Sequence, residues 1–136
     1  MRTRALFLFL AGLLLSFYVQ AEIVVVVHPE SSIQQLTARQ ISDLYLGRTR
    51  GLITIFEQPN DSKERENFFR SLNGMSLQQI NAYWARLRFS GEVLPPVALA
   101  NSRSVLDAVS RNRNALGYIG AHDVTSAVRV VLRLSD

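Results

Sequence analysis

The residues from Ile23 to Val27 form an unbroken apolar run, IVVVV, in which every side chain is β-branched. Such a run is typical of a strand buried on both faces of a sheet, because a half-exposed strand alternates polar and apolar residues. Further short strands are predicted at 53–56, 115–120 and 128–134. A strand of this kind, followed by segments with helical patterns, indicates an α/β fold.

Helix-start patterns separate these strands. Thr37-Ala38-Arg39-Gln40 and Ser76-Leu77-Gln78-Gln79 both have the form of a capping box, and further helices are predicted at about 62–72 and after Asn101 or Ser102. The alternation predicts a single α/β lobe, with a mixed, mostly parallel sheet flanked by helices. We also expect the loops after Val27, after Phe56 and before Ser102 to lie on one common edge of the sheet.

The helix that follows Ser76 carries a regular apolar stripe. Its members recur at helical spacing: Leu77, Ile80, Trp84 and Leu87. We therefore expect Trp84 to be buried in the core and not to serve as an exposed stacking surface.

The first 21 residues have the features of a secretory signal peptide. Arg2 and Arg4 precede an apolar run from Ala5 to Val19, and Val19 and Ala21 suit cleavage after Ala21. The alternative is a membrane anchor, but a spanning helix needs about 20 apolar residues. We therefore expect residues 1–21 to be removed and residues 22–136 to form the exported domain, with no stable membrane insertion after cleavage.

Composition and motifs argue against several functional classes. The chain has no cysteine, and its two histidines, His28 and His122, lie far apart and outside any metal-ligand pattern. Known catalytic motifs and paired carboxylates are also missing from the sequence, so we expect no metal, no cofactor and no enzymatic activity. The formal net charge of +4 falls to +2 without the two leader arginines, which argues against nucleic-acid binding.

The stretch QPNDSKERENFF, residues 58–69, indicates a possible ligand site. A polar turn leads into a helix whose first residues include Lys63 and Arg65, although the helix macrodipole disfavours bases at this end. A bound anion would make both basic residues favourable at this position, because helix N-termini bind anions. We expect anion binding by Ser62, Lys63 and Arg65. Alternatively, Arg65 pairs with Asp61, Glu66 or another neighbouring carboxylate and faces solvent. The hydroxyls predicted to contribute from a second loop are Ser31 and Ser32.

Three motifs in order, LTARQISDLYLGRT, FEQPNDSKERENFFRSL and ALGYIGAHDV, resemble one lobe of the periplasmic phosphate-binding proteins that supply ABC transporters. The resemblance covers residues 23–134. In that family a Ser-Gly-Thr turn opens a helix and grips phosphate. Here Ser62 matches the serine, while Lys63 and Glu64 stand in place of glycine and threonine. Asn60 and Asp61 occupy the place of the family's aspartate, which adds Asp61 to the candidate site.

The resemblance implies a periplasmic, non-enzymatic protein that binds phosphate or a related oxyanion weakly and is linked to phosphate uptake or sensing. Proteins of that family close two lobes over the ligand, and this chain has residues for about one. A second hypothesis therefore remains open. The chain could be a periplasmic interaction module that has lost ligand binding and docks on a membrane transporter, porin or sensor. A second lobe could also come from another chain.

Overall fold

The computed structural model describes residues 22–49 and 51–135, so the predicted signal peptide lies outside the described residues. The strands in this part of the chain are β1 (Ile23–Val27), β2 (Thr54–Glu57), β3 (Val97–Ala98), β4 (Ala115–Gly120) and β5 (Arg129–Leu134). The α-helices are α1 (Ala38–Tyr45), α2 (Lys63–Asn73), α3 (Leu77–Ser90) and α4 (Ser102–Ser110). Within these residues, no helix combines the length and apolar character needed to cross a membrane.

The described strands form one mixed sheet in the order β3-β2-β4-β1-β5. Strand β2 pairs in parallel with β3 and β4, whereas β1 pairs antiparallel with both β4 and β5. Four strands therefore run one way and β1 alone runs the other. The predicted α/β lobe with a mixed, mostly parallel sheet flanked by helices is confirmed.

The direction of β1 contradicts the expected position of the loop that follows it. Val27, the last residue of β1, lies beside Leu116 near the start of β4, whereas Ile23 lies beside Gly120 at its end. The loop after β1, which carries Ser31 and Ser32, therefore leaves from the edge opposite the loop after β2. The expectation that these serines share an edge with Ser62 is wrong, because pairing with distant β4 and β5 sets the direction of β1.

The helix starts follow the local sequence closely. Thr37 and Ser76 each accept a hydrogen bond from the backbone N–H three residues on, and the Gln40 and Gln79 side chains complete both capping boxes. The Ser62 hydroxyl caps α2 by accepting from the Arg65 backbone N–H at 3.2 Å. Each cap satisfies a backbone donor that would otherwise have no partner in the first helical turn.

The sheet is covered on both faces, as the β-branched run predicts. Val25 and Val27 belong to the larger core cluster, which includes residues of α1, α2 and α3. Val24 and Val26 belong to a smaller cluster with residues of α4. Trp84 lies in the larger cluster and is 5% exposed, so its predicted burial is confirmed.

Two helix-ending glycines provide a matched test of packing. Gly47 and Gly74 have φ angles of 68° and 74°, which disfavour any side chain by about 1–2 kcal/mol. A Cβ at Gly74 would meet open space, but one at Gly47 would lie 2.6 Å from Val93 Cγ1. We expect Gly47→Ala to cost about 1–3 kcal/mol more than Gly74→Ala in urea unfolding, because it adds a clash to the same backbone strain. Equal losses would show that Val93 moves away freely.

Candidate functional site

A buried carboxylate marks the carboxyl-terminal end of β2. Glu57 is 4% exposed, and its Oε1 accepts hydrogen bonds from the Gln58 backbone N–H at 3.0 Å and from the Tyr118 hydroxyl. Its Oε2 lies 3.4 Å from Nε of Arg65, which is 2% exposed. The positive charge of Arg65, which was predicted to bind an external anion, therefore faces a carboxylate of the same chain.

The Arg65 guanidinium also makes hydrogen bonds away from Glu57. Its Nη1 donates to the Asn60 carbonyl at 3.1 Å and to Asn81 Oδ1 at 2.6 Å, and its Cζ lies 5.3 Å from the centre of the Phe69 ring. These contacts connect the turn before α2 to α3. Arg65 thus fixes the position of two elements as well as balancing Glu57.

Gln58 holds together three elements at the same edge. It is 1% exposed, and its Nε2 donates to Ser102 Oγ at 2.9 Å and to the Tyr118 carbonyl at 3.1 Å. Ser102 Oγ also accepts from the Gly120 backbone N–H. The loop after β2 and the start of α4 therefore meet at the carboxyl end of β4, as expected for two of the three loops.

Burial raises the pKa of the Glu57 carboxyl above its ordinary value of 4.5, although the Tyr118 hydroxyl and the Arg65 charge oppose that shift. Burial also raises the pKa of Tyr118 well above 10, and the nearby Glu57 charge adds to this effect. The Tyr118 hydroxyl therefore remains protonated at neutral pH and can donate to Glu57.

The raised pKa of Glu57 predicts a pH dependence of stability. The folded protein holds this proton more tightly than the unfolded chain, so the contribution is complete below about pH 4.5 and is lost as pH rises through the folded pKa. We expect the free energy of unfolding of the native protein, minus that of Glu57→Gln, to fall as pH rises from about 4.5. Urea titrations at several pH values measure this difference. A difference that increases with pH would show that the ion pair outweighs burial.

The sequence-predicted site residues are not brought together as a group. Ser62 caps α2, and the exposed Lys63 side chain lies 3.5 Å from Glu66 Oε2. Asp61 is exposed in the turn before α2. Ser31 and Ser32 lie at the far edge, where the Ser31 hydroxyl accepts from the Ile33 backbone N–H. The alternative that Arg65 pairs with a carboxylate and faces solvent is wrong about exposure, because Arg65 is buried beside Glu57.

A cavity of about 330 Å³ opens beside Arg65. We call it the α3 pocket, because Asn81, Trp84, Ala85 and Arg88 line it from one face of α3. Pro95 and Pro96, just before β3, and Ala98 in β3 line the pocket as well, and the remaining lining residues are Glu57, Asn60 and Arg65. Of the sequence-predicted residues, only Arg65 lines this pocket.

The four pocket residues on α3 were not predicted as site residues, although they share one helical face. Asn81, Trp84, Ala85 and Arg88 follow the i, i+3, i+4, i+7 spacing of one helical face. This face shares Trp84 with the apolar stripe. Core packing of the stripe was a sufficient explanation of the helical pattern, so no site was predicted on α3. Glu57 was harder to predict as a site residue, because in the sequence it is a single acidic residue at the end of a strand. Among the described residues, no group of three or more His, Asp or Glu side chains could hold a metal ion.

Three solved structures with a similar fold carry descriptions that refer to phosphate transport or to PstS. A protein described as a phosphate ABC transporter substrate-binding protein, from Clostridium perfringens with bound phosphate, is 20% identical with a TM-score of 0.64. An ABC-type phosphate transport receptor from Vibrio cholerae is 16% identical at 0.63, and PstS from Borrelia burgdorferi is 12% identical at 0.61. The fold is similar to one lobe of phosphate-binding proteins.

The similarity is one of fold and is partial for the neighbours. It covers 82% of this chain in each comparison, but only 45%, 47% and 47% of the three solved chains. This chain therefore spans less than half the length of the structures it matches. No protein-family model and no curated protein matches the sequence.

Proposed function

We propose that residues 22–136 form an exported, periplasmic, solute-binding-like domain that binds phosphate or a related oxyanion weakly in the α3 pocket. The observation that carries this proposal is that Arg65 and Arg88 line one cavity near the carboxyl ends of β2 and β3. Ligands of open α/β sheets bind at this edge. The fold similarity to phosphate transport receptors supports phosphate as the first ligand to test.

The charges of the pocket favour a single small anion. The Glu57 carboxylate is engaged by Tyr118, Gln58 and Arg65, and Arg88 forms no ion pair within the described residues. Arg88 therefore supplies the net positive charge, and its planar guanidinium suits bidentate contact with a phosphate. Because the pocket is open and the Glu57 carboxylate is part of its lining, we expect a Kd of about 0.1–1 mM, which corresponds to about 4–5.5 kcal/mol.

In this proposal Ser62 acts through the helix that it caps, since α2 carries Arg65 to the pocket. Lys63 and Asp61 lie outside the cavity lining and contribute only to the electrostatic field around the pocket. The domain performs no chemistry on the anion, in keeping with neighbours that are described as binding or transport proteins. Coupling to phosphate uptake or sensing through a membrane transporter or sensor is part of the same proposal.

Arg88→Gln tests the site, with Arg86→Gln as its matched control. Both arginines are exposed on α3, but Arg86 lies outside the α3 pocket. Phosphate should raise the melting temperature of the native protein and of Arg86→Gln by mass action. We expect Arg88→Gln to lose most of that shift and to bind phosphate at least tenfold more weakly by calorimetry. Equal shifts in all three proteins would contradict this site.

The second candidate is an interaction module that has lost ligand binding and docks on a membrane transporter, porin or sensor. The observation that favours it is the internal pair of Glu57 and Arg65, which neutralises the buried arginine without any ligand. Phe89, Leu94 and Val97 are 93%, 86% and 59% exposed and offer apolar contacts to a partner. If neither phosphate nor sulfate stabilises the native protein, this candidate replaces the first.

A further inference from the structure

The α3 pocket has an apolar wall that an inorganic oxyanion cannot use. Trp84 and Ala85 contribute from α3, and Pro95, Pro96 and Ala98 contribute from β3 and the residues just before it. Phosphate is polar on every side, so contact with these side chains would replace its water without returning hydrogen bonds. An apolar body would instead gain from being removed from water at the same wall.

The size of the pocket also fits more than an inorganic ion. Its volume of about 330 Å³ lies at the lower end of the roughly 300–1,000 Å³ range of small-molecule sites. Such sites are mostly apolar, with a few polar groups that fix the orientation of the ligand. Half of the residues that line the α3 pocket are apolar, and Asn60, Asn81 and the two arginines are its orienting groups.

The charges indicate which end of a ligand would lie where. The buried Arg65 is balanced by Glu57, so this part of the pocket is close to neutral. The exposed Arg88 carries the unbalanced charge. An anionic group would therefore bind beside Arg88, while the rest of the ligand extends along Trp84 toward the proline segment.

We propose that the α3 pocket binds an organic phosphate, in which one phosphate group is attached to a compact, flat apolar body. This inference rests on the proposed function, because it takes the same pocket as the anion site and adds the second half of the ligand. The phosphate contacts Arg88, and the apolar body packs between the α3 face and Pro95-Pro96. The apolar body contacts the apolar side chains of the pocket wall, which inorganic phosphate alone does not use.

The experiment compares inorganic phosphate, phenyl phosphate and phenol on the purified protein, by calorimetry and by NMR. Trp84 is the single tryptophan, so its indole N–H gives one assignable signal beside the pocket. We expect phenyl phosphate to bind at least tenfold more tightly than phosphate and to shift that signal, and phenol to bind more weakly than either anion.

Ala85→Gln and Ala82→Gln form the matched pair of variants. Both alanines are exposed on α3, and glutamine is a good helix former, but only Ala85 lines the α3 pocket. Ala85→Gln should abolish the preference for phenyl phosphate over phosphate. Ala82→Gln should change neither affinity.

The possible outcomes separate this inference from the proposed function. Equal affinities for phosphate and phenyl phosphate would overturn the organic ligand and leave phosphate binding in place. A preference for phenyl phosphate that survives Ala85→Gln would place the apolar body elsewhere and would also overturn the inference. If neither anion binds, both proposals fail together.

Discussion

Arg65→Met will lower the free energy of unfolding by about 3–5 kcal/mol, because it leaves the buried Glu57 carboxylate without its positive partner. The variant also loses the hydrogen bonds to Asn60 and Asn81 that join the turn before α2 to α3. Methionine retains much of the apolar stem, so the loss reports mainly on charge and hydrogen bonding. Urea unfolding at pH 7 measures it.

Lys63→Met is the matched control for this loss. It removes a positive charge two residues away in the same helical turn, but Lys63 is exposed and forms only a surface pair with Glu66. We expect a change of about 0–1 kcal/mol. The cost of Arg65→Met should also shrink at low pH, where Glu57 takes up a proton. Equal losses in the two variants would show that the internal ion pair contributes little to stability.

Trp84→Ala will cost about 3–5 kcal/mol, because it opens a cavity where the larger core cluster meets the α3 pocket. The indole lies close to Gly47, since a Cβ placed there would be 3.2 Å from Trp84 Cη2. Phe89→Ala on the same helix removes an aromatic side chain that is 93% exposed, and should stay within about 0.5 kcal/mol of the native protein. A small loss at Trp84 would contradict its place in the core.

Local features of this fold were predictable from the sequence, because they depend on residues a few positions apart. The caps at Thr37, Ser62 and Ser76 follow from side chains that reach their own helix. The burial of Trp84 follows from helical spacing, and the continuous run of β1 predicted a strand covered on both faces. These features were sufficient to identify the fold class.

The arrangement of the site was less predictable, because it depends on pairing between distant residues. No local signal indicates that β1 runs antiparallel to β4, and this direction moves Ser31 and Ser32 to the other edge. The same limit applies to Arg65. Its position in the first turn of α2 suggested an external anion, but the inward-facing Glu57 was recognisable only after β2 and α2 were packed together.

The place of β1 in the sheet determines when the domain can complete its fold. Ile23, at the start of β1, pairs with Gly120 on one side and with Leu134 on the other. Contacts between such distant residues slow folding, because the chain must close a long loop before they contribute. A growing chain cannot complete its sheet until its last strand has been synthesised.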